Sequence, residues 1–281
     1  MRLDMHTHTT ASDGQHSPGE LMTMAKAARL EMIAVTDHDT IEGICEARKA
    51  SEEAGICLIP GIEISTYLDE EIHILGLWID ETDPVLVGKC REYTESRKNR
   101  GRLIVDYLKD KGMEIDLDEV MAYAGGGSMG RPHFAWALQK HGYVSSRQEA
   151  FERFLDTPEF HERTDRRKPT PQEAIGLIHG AGGKAVLAHP GLLKMGQDRQ
   201  RLLVEELKAA GLDAIEAYYS KYTNRQIRIY TELARELVLK VTAGSDFHGE
   251  KVKKNVKLGM DFPSHNREIL LNGYYQTTME E

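Results

Sequence analysis

Two periods alternate along the first 80 residues of this chain. Short β-branched runs of strand type are followed by stretches in which apolar positions recur every three or four residues, as on one face of a helix. Residues 2–5 read as a strand, 18–30 as a helix with Ser17 at its cap and Pro18 in its first position, and 32–36 as a second strand. A helix over 40–54 is ended by Gly55, a third strand covers 56–65, and a fourth extended run covers 71–79. Strands interleaved with helices of this length point to a parallel α/β sheet or barrel. From about residue 84 to 156 the rhythm changes to helical periodicity with no convincing strand. One long helix is expected over 93–112, and others over 116–124, 131–142 and 145–155. The α/β rhythm then resumes, with helices over 170–183, 201–211 and 224–237 and strands over 184–189, 213–219 and 238–248. The expected organisation is a barrel in two parts, 1–99 and 166–281, with a helical insertion (cap) domain at 100–165.

Composition narrows this picture. At 281 residues, 40% hydrophobic and 29% charged, the chain is ordinary for a soluble globular protein. It has no apolar run near the roughly 20 residues that span a bilayer. The opening MRLDMHTHT lacks the apolar core of a signal peptide, so a cytoplasmic location and no membrane partner are expected. A formal net charge of −9 argues against a stable nucleic-acid partner, while bound dications could still offset it for a small phosphorylated substrate. Cys45, Cys57 and Cys90 form no CxxC pair and read as reduced packing thiols.

Positions just past the strands carry the chemistry. The first strand runs into His6 and His8, with Asp13 in the SDG turn beyond, and the second into Asp37-His38-Asp39. The third carries Glu63 and the fourth His73, and later strands end in His189 and in Asp246 and His248. Imidazole and carboxylate donors suit Mn, Fe or Zn. Residues two apart on a strand share a face, so His6 and His8 can meet one cation, as can Asp246 and His248. A carboxylate such as Glu63 can bridge two cations at the roughly 3.5–4 Å used in two-metal hydrolysis. One His after a strand is usually an ordinary hydrogen-bonded residue, but donors on strand after strand of one barrel-length chain are not explained that way. The other histidines, His141, His161, His179 and His265, read as ordinary surface residues, His16 as a neighbour of the SDG turn, and Tyr218 and Tyr219 as rim packing, with stacking on a base as their alternative.

HTHTTASDG, VTDHDT, LAHP and GSDFHG, in that order and with GIEIS and EIHILG between them, resemble the motifs of the PHP (polymerase and histidinol phosphatase) superfamily. The resemblance implies a distorted (β/α)7 barrel and a site of three divalent metal ions, Mn2+ first and Fe2+ or Zn2+ as alternatives. It allots His6, His8, Glu63 and Asp246 to one cation. Glu63, His73 and His189 go to a second, and Asp13, His38 and His248 to a third. The catalytic residues would be Glu63, His189 and Asp246.

Within the insertion, GGGSMGRPH leads into a helix with Pro132 in its first turn. A helix start beside the Arg131 guanidinium is a good phosphate receptor. GRPH also resembles the branch containing nucleoside 3′,5′-bisphosphate phosphatases and 5′-end RNA exonucleases, which makes Arg131 and His133 substrate-binding candidates. In the basic string Arg163, Arg166, Arg167 and Lys168, Lys168 is the candidate for a second phosphate. The expected activity is hydrolysis of a phosphate ester of a small metabolite, a nucleotide or a short RNA 5′ end, by direct attack of cation-activated water. The alternatives are a cyclic phosphodiesterase that then removes the monoester, and a non-catalytic metal-binding regulatory module.

Overall fold

A computed structural model describes residues 1–123, 130–165 and 167–271. Residues 124–129 of the glycine-rich run, and Arg166, lie outside it. β1 (Arg2–Asp4) leads through α1 (Pro18–Ala27) to β2 (Met32–Val35), and β2 through α2 (Ile44–Ala54) to β3 (Cys57–Tyr67). The three strands pair in parallel. α1 opens with a reciprocal cap: Ser17 accepts the Glu20 N–H, and the Glu20 carboxylate accepts the Ser17 N–H. α2 ends as expected at Gly55, whose φ of +69° only glycine adopts without strain.

The next strand departs from the parallel order. β4 (Glu71–Leu77) folds back antiparallel on β3, with Tyr67 opposite Glu71 and Ser65 opposite His73. Only residues 68–70 join the two strands, far short of the dozen or so that a parallel crossover needs. β4 is antiparallel to its other neighbour as well, and this reversed strand distorts the barrel.

α3 (Pro84–Asp110) is one continuous 27-residue helix, starting earlier than its periodicity suggested and running through the expected boundary at 99/100. Its first half buries Leu86 and Cys90 against the barrel, while its second half gives Ile104, Tyr107 and Leu108 to a separate apolar cluster. That cluster is completed by α4 (Leu117–Tyr123), α5 (Arg131–Lys140), α6 (Arg147–Ala150) with the wider turn that follows it, and α7 (Pro158–Thr164). Phe134, Leu138, Leu155 and Phe160 are at most 1% exposed there, each worth about 1.5–3 kcal/mol of burial.

α8 (Pro171–Gly180) returns the chain to β5 (Lys184–Leu187), which pairs with β4. α9 (Gln197–Ala209), β6 (Ala214–Tyr219), α10 (Asn224–Glu236) and β7 (Lys240–Gly244) follow, with β5, β6 and β7 parallel. The extensions of β7 and β1 close the ring: the N–H groups of Met5, His8 and Asp246 donate across the seam to Ala243, Phe247 and His6, each at 2.9 Å. An eighth, two-residue strand, β8 (Met260–Asp261), covers the remaining edge of β1. Among the described residues no helix is long and apolar enough to cross a membrane.

Candidate metal centre and active site

The closing seam is what delivers His6 and His8, on the extension of β1, into the mouth of the barrel. Gly244 has to be glycine here, because a Cβ would stand 2.3 Å from Glu216 Oε1 and 2.4 Å from the His6 Cβ. The turn bearing Asp13 is tied down by Asp37, which accepts from the Thr9 N–H (2.8 Å), the Thr9 hydroxyl (2.7 Å) and the Ser12 hydroxyl (2.6 Å). Asp39, His189 and Asp246 hold positive φ of 57°, 28° and 57° although none is glycine. Left-handed non-glycine residues concentrate at functional sites, and these three belong to or adjoin the predicted ligand set.

All nine predicted donors come together. Glu63, at the centre, is 1% exposed. Its Oε1 pairs with His73 Nδ1 at 2.8 Å and His189 Nε2 at 3.1 Å. Its Oε2 is approached by His6 Nε2 at 3.2 Å, His8 Nε2 at 3.1 Å and His38 Nδ1 at 3.1 Å. His248 Nε2 lies 3.3 Å from Asp13 Oδ1, and Asp246 Oδ1 lies 3.5 Å from His8 Nε2 and 3.2 Å from His248 Nδ1. Four overlapping donor groups result: His8, Asp13, His38 and His248; His6, Glu63 and His189; His6, His8 and Asp246; and His38, Glu63 and His73. They place His8 beside the Asp13 group and His38 between Glu63 and Asp13, a more interlocked set than three separate shells.

The donors fit divalent cations. Glu63 Oε2, His8 Nδ1 and His38 Nδ1 are buried without a hydrogen-bond partner, although three imidazole nitrogens stand within 3.2 Å of that Oε2. Buried polar atoms are almost always satisfied, so lone pairs crowded together without bonds mark the inside of a ligand shell. Protonation takes up part of the missing charge. Burial disfavours the imidazolium at His6, but Glu63, Glu216 and Asp246 outweigh it and raise its pKa. In the same way His8 is raised to about 9 against its burial by Asp246 and Glu63, and His73 to about 10 by Glu63 and Glu71. Burial wins at His38, which falls to about 3. Burial also opposes ionisation of Glu63, Asp13 and Asp246, yet the surrounding imidazoles hold all three well below the usual carboxylate range.

Several residues around the cluster were not read as part of the site from the sequence. Glu216 on β6 accepts from His6 Nδ1 at 3.0 Å and from the His189 N–H at 2.8 Å, orienting two predicted ligands. Tyr219, expected to be rim packing, instead donates its hydroxyl to Asp246 Oδ2 at 2.8 Å, and Lys253 pairs with the same oxygen. Arg97 on α3 grips Asp39 with two bonds of 2.9 and 2.6 Å and reaches Ser65 at 3.0 Å. No motif pointed to these four. His141, His161 and His179 do have partners, the carboxylates of Glu119, Asp156 with Asp165, and Asp213, but none joins a donor group.

A cavity of about 760 Å³ lies between barrel and insertion, lined by Arg100, Arg131 and Lys168 together with Tyr67 and Leu192. Lys168 Nζ pairs with Glu71 at 2.7 Å, and Glu71 with His73 at 3.2 Å, so Lys168 is one carboxylate away from the donor cluster. Arg131 pairs with Asp156 at 2.6 Å. His133 Nδ1 accepts the Gly130 N–H at 3.0 Å, so that N–H at the helix start is not free for a phosphate. Burial lowers the His133 pKa, and the nearby Asp13 charge works against it.

A closed α/β barrel with a histidine-carboxylate cluster at the strand ends defines a metal-dependent hydrolase site. Comparison with known proteins agrees: the PHP domain model matches residues 4–205, and the chain belongs to the PHP family. It is similar to the 5′-3′ exoribonuclease Rnm of Escherichia coli, 37% identical over 87% of this chain and 84% of that one. It is also 32% identical to the 3′,5′-nucleoside bisphosphate phosphatase of Chromobacterium violaceum, over 88% and 87% of the two chains. The phosphoribosyl 1,2-cyclic phosphate 1,2-diphosphodiesterase of Eggerthella lenta is 32% identical, over 88% and 94%. Among solved structures, an amidohydrolase from Chromobacterium violaceum with bound sulfate and no metal superposes with a TM-score of 0.82, at 31% identity over 93% and 92%. A chain from Bifidobacterium adolescentis assigned as a metal-dependent phosphoesterase gives 0.81, at 30% identity over 95% and 94%. The protein is thus a metal-dependent phosphoesterase of the PHP family.

Proposed function

We propose that the chain hydrolyses a phosphate ester of a small nucleotide such as a nucleoside 3′,5′-bisphosphate, with three divalent cations, Mn2+ foremost, held by the nine donors. The observation that carries this reading is Glu63, one buried carboxylate met by five imidazoles, with its Oε2 and the facing His38 Nδ1 both left without a hydrogen bond. Bound cations supply the positive charge that stabilises phosphate oxygens and lowers the pKa of water at neutral pH. His6, His8, Glu63 and Asp246 would hold one cation, Glu63, His73 and His189 a second, and Asp13, His38 and His248 a third. Glu63 would belong to two of these three ligand sets. His189, which meets Glu63 Oε1 at 3.1 Å and stays 13% exposed, would act on the scissile phosphate together with Glu63 and Asp246. Glu216 fixes the His6 ring and the His189 backbone. Tyr219 and Lys253 occupy one oxygen of Asp246 and leave Oδ1 for the cluster.

Lys168 and Arg131 are the proposed receptors for a second phosphate, with His133 on the side of Asp13. Charge-assisted pairs to Glu71 and Asp156 hold both guides in place, and a substrate phosphate would exchange with those carboxylates. The relatives named for a nucleoside bisphosphate and for RNA ends support this substrate class, and the one named for a cyclic phosphate supports the diesterase as a second reading. The test is phosphate release by Mn2+-reconstituted protein from 3′,5′-bisphosphates, 5′-mononucleotides, 5′-phosphorylated short RNA and cyclic phosphates. The highest kcat/KM is expected on the bisphosphate. A preference for the cyclic diester would transfer the assignment to the second reading, and no release from any of them would overturn both.

A further inference from the structure

Tyr67 is out of place by the rules that govern the rest of its strand. β3 is otherwise buried or half-buried, yet Tyr67 at its end is 50% exposed. Side chains two and four positions on share a face, so Tyr67 projects on the side of Glu63 and Ser65, roughly 13 Å further out along the strand. Across the hairpin it stands opposite Glu71, the residue that joins Lys168 to His73. Its own N–H donates to Pro169 O at 3.0 Å, which anchors it beside Lys168. Leu192, 51% exposed just beyond His189, lines the same cavity, and its loop is fastened to the hairpin turn where the Lys194 N–H donates to Glu70 at 2.8 Å. The other described residues lining that cavity are charged or histidine. An exposed aromatic ring and an exposed aliphatic side chain, set among five cations and five carboxylates one step out from a phosphoesterase centre that takes the anionic end, suit a ligand whose far end is flat and apolar.

We infer that Tyr67 is a specificity-determining residue that stacks on the nucleobase of the substrate, with Leu192 lining the same base subsite. The inference rests on the nucleotide reading above and adds the group that distinguishes a nucleotide from any other sugar phosphate. Stacking on an aromatic side chain tolerates every base, so the subsite selects nucleotides without selecting among them.

The experiment compares adenosine 3′,5′-bisphosphate with ribose 3,5-bisphosphate, which keeps both phosphates and lacks the base, on Mn2+-reconstituted wild type, Tyr67→Ala and Tyr67→Phe. Wild type should prefer the nucleotide. Tyr67→Ala should cut the ratio of the two kcat/KM values about tenfold, mainly through KM on the nucleotide, with metal content unchanged. Tyr67→Phe keeps the ring and should keep the ratio. Equal losses on both substrates, or an unchanged ratio in Tyr67→Ala, would overturn the stacking role while leaving the nucleotide reading standing. A wild type that does not discriminate between the two substrates would overturn the nucleotide reading itself, and the base subsite with it.

Discussion

Replacing Glu63 by Gln keeps the shape of the central side chain and removes its charge. Oε1 makes hydrogen bonds to His73 at 2.8 Å and His189 at 3.1 Å, and Oε2 faces three further imidazole nitrogens. On reconstitution these contacts would pass from the imidazoles to the cations, and losing even one charge-assisted contact of this kind costs about 1.5–3 kcal/mol, roughly tenfold to a hundredfold. Because the amide also cannot draw two cations together as a carboxylate does, the loss in kcat should reach at least about a hundredfold, equivalent to about 2.7 kcal/mol. The assay is steady-state phosphate release by protein reconstituted with excess Mn2+, with bound metal measured on the same sample. A circular-dichroism melt would show that the barrel is intact. Near-normal kcat in a metal-replete, folded Glu63→Gln protein would refute the argument that this carboxylate organises the centre.

Three other consequences can be checked on the same footing. Arg131→Ala should leave metal content intact and lower kcat/KM on a bisphosphate roughly tenfold to a hundredfold, with little change on p-nitrophenyl phosphate, which offers no second phosphate. Equal losses on the two esters would mean that Arg131 grips the scissile group. Tyr219→Phe removes the hydroxyl that donates to Asp246 and should raise the Mn2+ concentration for half-activation about tenfold, and an unchanged titration would return Tyr219 to packing. Metal loading at pH 7.5 should release protons, because His8 and His73, raised to about 9 and about 10 in the metal-free protein, are charged there and must be neutral to bind. Apparent Mn2+ affinity should therefore climb with pH up to about those values, and calorimetric heats that do not vary with buffer ionisation enthalpy would contradict this.

Much of the centre was legible because its donors sit in short local patterns. His6 and His8, or Asp246 and His248, declare themselves by strand spacing and by following apolar runs that can only be strand ends. The ligand groupings were less legible. His8 faces both Glu63 and Asp13, a consequence of where β1 sits in the closed ring and not of any neighbour in sequence. Glu216 reaches His6, 210 positions away, only because β7 closes onto β1, whereas Tyr219 and Lys253 meet Asp246 from 27 and 7 positions away, across the β6–β7 pair and from the loop after β7. The reversed β4 could have been anticipated from the three-residue link 68–70, since periodicity alone carries no strand direction. The long α3 hid its true start because its first turns pack on the barrel and its last turns on the helical cluster, so no single apolar face runs along it.

The central claim is a multinuclear metal centre, and metal stoichiometry tests it most directly. Purified protein should be stripped with chelator, reconstituted with Mn2+, freed of unbound ion by gel filtration and analysed by inductively coupled plasma mass spectrometry. Close to three equivalents per chain are predicted, rising in step with phosphoesterase activity during the titration. No more than one equivalent in the fully active protein would contradict the account.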